Sequence, residues 1–175
     1  MTMIISRVLI AVVTATVGSA VALVTPGSAA ASPLADGMYK FEFDGSKQTL
    51  DGKPDPAKPY STLIAIRSAC PPSGCVATAW DTSIGPTWLQ PPYEGAIVFR
   101  EDKDQWTGTR WRMFTCNNTT TQGTETLTFQ TTPDGTFTGV STGLQSPCGP
   151  IVTPFTATRV GDVPTDVDVA DPNTA

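Results

Sequence analysis

Residues 39–44 read Tyr39-Lys40-Phe41-Glu42-Phe43-Asp44, aromatic and charged side chains in strict alternation. Successive side chains of a strand point to opposite faces, so this stretch is a strand with one dry and one wet face. Gly45 ends it, and the segment from Ser46 to Pro59, with Asp51-Gly52 and three prolines, reads as a loop with one short extended piece at Gln48–Leu50. The next strand, Thr62-Leu63-Ile64-Ala65-Ile66-Arg67-Ser68, is apolar on both faces at its middle. Cys70-Pro-Pro-Ser-Gly-Cys75 then reverses the chain into Val76–Trp80, which makes a hairpin. Asp81–Tyr93 is a loop. Ala96–Arg100 is a strand, Asp102–Asp104 turns it, and Trp106–Cys116 returns. Thr124–Thr131 meets Pro133-Asp134-Gly135, a strong turn signal. Thr136–Ser141 and Phe155–Val160 complete about eight strands. No stretch holds a helical apolar stripe free of proline, glycine or threonine clusters. The expected fold is all-β, an antiparallel meander closed as a small up-and-down barrel, favoured over a two-sheet sandwich.

The chain has 175 residues, 15% of them charged, with a formal charge of −5 and no histidine. That length suits one domain. Acidity argues against a nucleic-acid partner, which needs a basic face. Without an imidazole there is no Ser-His-Asp triad, Cys-His dyad, histidine zinc site or helical H-E-x-x-H motif. No metal or cofactor is expected.

Arg7 is the only charge before Asp36, Val8–Val24 is apolar or small, and Thr25-Pro26-Gly27-Ser28 precedes Ala29-Ala30-Ala31. These are the three parts of a secretory signal peptide, residues 1–31, with cleavage after Ala31 or after Ala30. An uncleaved anchor is the other reading, but a run that short barely spans a bilayer. The mature chain is expected outside the cytoplasm or in the envelope, with no stable membrane insertion. Losing Arg7 takes its charge from −5 to −6. Export makes the four cysteines a disulfide framework with three possible pairings. The tight C-P-P-S-G-C reversal favours Cys70–Cys75, and Cys116–Cys148 follows by elimination. Residues 32–161 then form the stapled β-domain. Residues 162–175, acidic and broken by Pro164 and Pro172, read as a disordered tail.

Trp106-Thr-Gly-Thr-Arg110-Trp111-Arg112 is the densest aromatic and basic stretch. Trp106 and Trp111 fall on opposite faces of a regular strand, unless Gly108 makes a bulge. Trp111 and Arg110 are candidates for binding a sugar, a phosphate or an amphipathic ligand. The plainer reading puts one tryptophan in the core and leaves Arg110 and Arg112 solvated outside. Trp80 and Trp88, around the loop from Asp81 to Gly85, are either ligand contacts at a barrel mouth or caps of the core. The carboxylate pairs Glu42/Asp44 and Asp102/Asp104 read as surface charge. Asp166/Asp168/Asp171 lacks the glycine and terminal glutamate of a calcium loop. There is no G-x-S-x-G elbow or S-x-x-K pair, and Asn117-Asn118-Thr119-Thr120 holds two overlapping glycosylation sequons.

In a closed meander the first and last strands are neighbours, so Arg159 is expected over the Tyr39 ring as a cation–π clasp. Gly37-Met-Tyr39 with a terminal arginine resembles the glycine–aromatic and arginine pairing of calycin barrels, with tyrosine for their usual tryptophan. A second resemblance spans most of the mature chain. Phe41-Glu-Phe-Asp44-Gly, Arg67-Ser68-Ala-Cys70-Pro-Pro-Ser-Gly74-Cys75-Val-Ala-Thr, Gln105-Trp106, Pro133-Asp134-Gly135-Thr-Phe-Thr-Gly139, Cys148-Gly149 and Ala157-Thr158-Arg159 look like a mycobacterial exported domain. That domain occurs as a free secreted protein and as the extracellular part of some membrane serine/threonine kinases. The resemblance implies an envelope-exposed module with a sensor role in the kinase-borne versions, and no catalytic residues.

The expected function is therefore a secreted or envelope β-domain acting as a non-catalytic binding or sensor-like module. Its partner would be a small amphipathic ligand or an envelope component. One alternative is a structural or interaction protein acting through its surface. Another is a carboxylate-dependent hydrolase of envelope glycans, which requires two carboxyls facing each other across a cleft.

Overall fold

A computed structural model describes residues 34–88, 94–116 without the Cys116 side chain, and 118–175. The expected signal peptide, residues 1–31, lies outside the described residues. The elements are β1 (Gly37–Phe43), β2 (Thr49–Leu50), β3 (Lys53–Pro54), β4 (Tyr60–Ala69), β5 (Val76–Asp81), β6 (Ala96–Asp102), β7 (Gln105–Cys116), β8 (Thr119–Thr131), β9 (Phe137–Leu144) and β10 (Ile151–Gly161). Two single-turn 3-10 helices, Gly45–Lys47 and Pro172–Thr174, accompany them. Among the described residues no helix is long and apolar enough to cross a membrane.

β1 and β4 to β10 form a closed antiparallel barrel in the order β1-β4-β5-β6-β7-β8-β9-β10, and β1 pairs with β10 to close it. The short β2–β3 ladder hangs from the start of β10. Consecutive antiparallel neighbours joined by tight turns can only meander, and closure removes both sheet edges. Pro133-Asp134-Gly135 makes its turn as expected, with Gly135 at φ 82° and its N–H donated to the Thr132 carbonyl. Cys70–Cys75 is a disulfide at the β4–β5 reversal. Cys148 is disulfide-bonded too.

The alternation of β1 is realised: Tyr39, Phe41 and Phe43 are buried inside, while Lys40 and Glu42 pair in solvent. The interior is full. Phe137 stacks between Tyr39 at 4.5 Å and Phe129 at 4.7 Å, Phe155 lies against Phe41 and Phe43, and Phe99 meets Phe129 edge-on. β7 runs through Gly108 without a bulge, since Trp106 opposes Phe129 and Trp111 opposes Thr124 in one continuous register. Gly108 instead makes room for the Phe99 ring, which would lie 2.5 Å from a Cβ at that position.

Tyr39 and Arg159 are cross-strand partners, as the closed meander requires. The Arg159 guanidinium donates to the Asp36 carbonyl, pairs with Asp162 and lies against Gly37, where a Cβ would come within 2.5 Å of Nε. The Tyr39 hydroxyl donates to the Ala35 carbonyl at 2.7 Å.

The disordered tail expected for residues 162–175 is corrected by the structure. Met38, Ala65, Trp80 and Ala96 form one cross-strand row on the outside of β1, β4, β5 and β6. Val163, Val167 and Val169 pack on the cluster they make, and Val169 is only 3% exposed. Thr78 Oγ1 donates to the Ala170 carbonyl at 2.6 Å, and Asp168 N–H donates to the Pro86 carbonyl at 2.8 Å. Counting acids hid three valines. The apolar outer face of β4 and β5 needed a cover, and the segment supplies it. Val169→Ala should therefore lower stability by about 1–3 kcal/mol in urea unfolding. Truncation after Gly161 should red-shift tryptophan emission as Trp80 meets water. An unchanged midpoint in both variants would mean that the tail does not pack in solution.

Candidate functional site

Trp106 is buried in the core, so parity along β7 sends Gly108, Arg110 and Arg112 inward as well. The plainer sequence reading, both arginines solvated outside, is corrected on this point. Arg110 is 4% exposed inside the barrel mouth. Its Nε donates to Glu125 Oε2 at 2.6 Å and its Nη1 to Asp81 Oδ2 at 2.9 Å. Arg112 Nη1 donates to Glu125 Oε1 at 2.7 Å and to the Tyr60 hydroxyl at 3.3 Å. Ser141 Oγ also donates to Glu125 Oε1, and Thr62 and Ser83 donate to Asp81 Oδ1. The guanidinium of Arg112 lies 5.3 Å from the Tyr60 ring centroid, and Tyr60 stacks on Phe43 at 4.5 Å with planes 7° apart. Groups from β4, β5, β7, β8 and β9 thus meet across one end of the barrel, two arginines facing two carboxylates.

Burial pushes the Asp81 carboxyl up, but the Arg110 charge and the hydrogen bonds from Thr62, Ser83 and Arg110 outweigh it and hold it below its ordinary range. Glu125 follows the same logic: burial raises it, and Arg110, Arg112 and Ser141 together bring it lower than usual. For Arg112 burial works against the charge, yet Glu125 and Tyr60 raise the guanidinium further. Tyr60 is pushed up mainly by burial, with Arg112 opposing. Beside this cluster a cleft of about 750 Å³ opens between Lys40, Tyr60, Thr62, Asp81, Ser83 and Arg112.

The candidates named from sequence do not converge. Trp80, 1% exposed, sits on the outer wall beneath the C-terminal segment and donates Nε1–H to the Gly85 carbonyl. Trp88, half-buried, lies 6.1 Å from it and packs on the same cluster. Trp111 stands on the outside of β7, 42% exposed, on the face opposite Arg110. Asp81, Glu125 and Tyr60 were not singled out in the sequence. A signal was present: Glu125 shares the parity of Leu127 and Phe129, so a charge on a dry face called for a buried partner.

Breaking a buried ion pair from one side strands the other charge. Glu125→Gln should cost about 3–5 kcal/mol in chemical unfolding. Both carboxyls titrate in the folded state below their ordinary values of 3.8 and 4.5. Their contribution is present in full above those values and is lost as pH falls through the lowered ones. Glu125→Gln should flatten the acid side of the stability profile. An unchanged slope there would remove Glu125 from the account.

The described site contains no group of acidic, cysteine or histidine side chains that could hold a metal, among the described residues. Comparison with known proteins identifies the family. A family described as the PknI serine/threonine-protein kinase sensor domain matches residues 32–174. The serine/threonine-protein kinases PknI of Mycobacterium tuberculosis and Mycobacterium bovis are 32% identical to the chain over 79% of its length. The match takes in 26% of each kinase, so the chain spans about a quarter of the length of these relatives. Among solved structures, the monomer form of the M. tuberculosis PknI sensor domain superposes with a TM-score of 0.63 at 30% identity, covering 82% of this chain and 99% of that one. The dimer form gives 0.50 at 28% identity, over 69% and 82% of the two chains. With a family model matched over residues 32–174 and a barrel that superposes on a PknI sensor domain at 30% identity, the chain belongs to the PknI sensor-domain family.

Proposed function

We propose that this chain is a secreted or envelope-held module, released by cleavage near Ala31, that acts without catalysis and engages its ligand on the outside of the barrel. The observation that carries this reading is the filled interior: packed aromatic rings occupy the middle, and the Arg110–Glu125–Asp81 cluster spans the mouth. An internal small-molecule carrier of this fold needs the space those side chains take. Glycan hydrolysis needs one carboxyl kept protonated as the acid. Asp81 and Glu125 are instead held ionised by arginine, which speaks against that alternative. Of the four ligand candidates, Trp111 alone combines exposure with an aromatic face, while Trp80, Trp88 and Arg110 serve the fold.

Native mass spectrometry of the protein secreted by an actinobacterial host tests this reading. The expected result is the bare mass of residues 32–175, four hydrogens below the reduced form for Cys70–Cys75 and a proposed Cys116–Cys148 bridge. A surplus mass that vanishes on denaturation but persists in the Trp111→Ala variant would mean a ligand held away from the outer wall and overturn it.

A further inference from the structure

The barrel wall is notched at the mouth. β4 begins at Tyr60, but β5 pairs with it only from Ile64 onward, and β6 pairs with β7 only as far as Thr109. Among the described residues no strand spans the gap between the start of β4 and the end of β7. The cleft of about 750 Å³ lies in this notch, and Tyr60 and Arg112 meet across it. Arg112 is only half used. Its Nη1 donates to Glu125 and to the Tyr60 hydroxyl. Its Nε and Nη2 donate to no group of the described residues, and neither of them is buried. The charges around the cleft already balance: Arg110 and Arg112 stand against Asp81 and Glu125, and Lys40 at the outer rim is paired with Glu42. Thr62 and Ser83 donate their hydroxyls to Asp81, and Thr82 donates to the Leu63 carbonyl. Each of these three oxygens has spent its hydrogen and keeps lone pairs that can accept.

We infer that the notch binds a small hydroxylated carboxylate, held by the unused edge of Arg112. The site is separate from Trp111, which stands on the opposite face of β7, so it adds a second contact and does not depend on the first. Nε and Nη2 form one edge of the planar guanidinium, and that edge matches the two oxygens of a carboxylate. A phosphate dianion brings more charge than one unused edge answers, with Asp81 and Glu125 ionised close by. Hydroxyls on the ligand would donate to Thr62, Thr82 and Ser83, whereas an aliphatic chain would take water from those oxygens and replace nothing. A cleft of this size also takes a ligand larger than acetate.

Titration of the mature protein, followed through the Arg112 Nε–H resonance in a proton–nitrogen NMR spectrum, tests the assignment. The probes are added gluconate, acetate, octanoate, inorganic phosphate and gluconamide, since a site open to solvent with one ion pair exchanges its ligand freely. Expected is a downfield shift of that resonance with gluconate at millimolar concentration, and none with gluconamide, which keeps the hydroxyls and lacks the charge. Arg112→Lys keeps a positive charge beside Glu125 and loses the fork, and should weaken gluconate binding about tenfold in calorimetry. Trp111→Ala should leave the affinity unchanged. The resonance is read in the unaltered protein, so the result stands even where Arg112→Lys fails to fold. No shift with any carboxylate at millimolar concentration would overturn the proposal. So would a shift with gluconamide equal to that with gluconate, because the Arg112 edge would then not be reading charge. Phosphate binding more tightly than gluconate would overturn the choice of a single negative charge, and octanoate or acetate binding as tightly as gluconate would overturn the part given to the hydroxyls.

Discussion

The pairing of Arg110 with Glu125 and Asp81 is the constraint on which the rest of this barrel depends. A guanidinium 4% exposed and a carboxylate 1% exposed are tolerable only together. Their partners sit on different strands, so the pair holds only in one register. A slip of β7 by one residue would put Trp111 inside and turn Arg110 out, leaving Glu125 charged and alone in the core. Aromatic packing alone would not discriminate so sharply, since a phenylalanine core tolerates repacking better than a stranded charge. The same cluster accounts for the filled mouth: side chains needed to neutralise one another occupy the space a calycin-type carrier would leave for its ligand.

Burial on both faces explains the other half of the wall. β4 and β5 carry Ile64, Ile66, Ala77 and Ala79 inward and Ala65, Thr78 and Trp80 outward, all of them buried. A barrel strand has only one interior, so this pattern demands a second layer, and residues 162–175 provide it together with Trp88. The Trp80 indole is satisfied by the Gly85 carbonyl, and Asp168 ties the segment to Pro86, so the loop after β5 and the C-terminus hold each other against the same face.

What could be read from the chain follows from how local each signal is. Alternation in Tyr39–Asp44, the proline-glycine reversal between Cys70 and Cys75, and the Pro133-Asp134-Gly135 turn depend on a few adjacent residues, and each formed as its chemistry requires. Closure of β1 on β10 followed from the meander. The buried ion cluster was harder because Asp81, Arg110 and Glu125 belong to three strands, and charge is normally assigned to solvent. Parity with Trp106 and with Leu127 was nonetheless available for both Arg110 and Glu125. The C-terminal cover was hidden for a different reason: valines spaced among aspartates have low mean hydropathy, and their partner row becomes visible only when Met38, Ala65, Trp80 and Ala96 line up across four strands.

A closed, filled barrel is stiff, and stiffness determines how an event on its outer wall reaches the rest of the molecule. Gly123 is the cross-strand partner of Arg112, and a Cβ at Gly123 would lie 3.1 Å from the Gln145 Cβ and 2.3 Å from the Leu144 carbonyl. The strand pair that carries Arg112 into the mouth therefore also borders a cavity of about 470 Å³ lined by Gln122, Gly123, Thr124, Leu144 and Gln145. Any shift of Gln145 or Leu144 bears directly on backbone whose neighbour bonds Glu125 and Tyr60. Because Glu125 is held by Arg110 and Arg112 at once, a displacement there is resisted by both ion pairs and cannot spread as a soft deformation. The cavity wall and the mouth thus meet at Gly123, and the strap-covered face on β1 and β4 to β6 is continuous with them through the β6–β7 ladder.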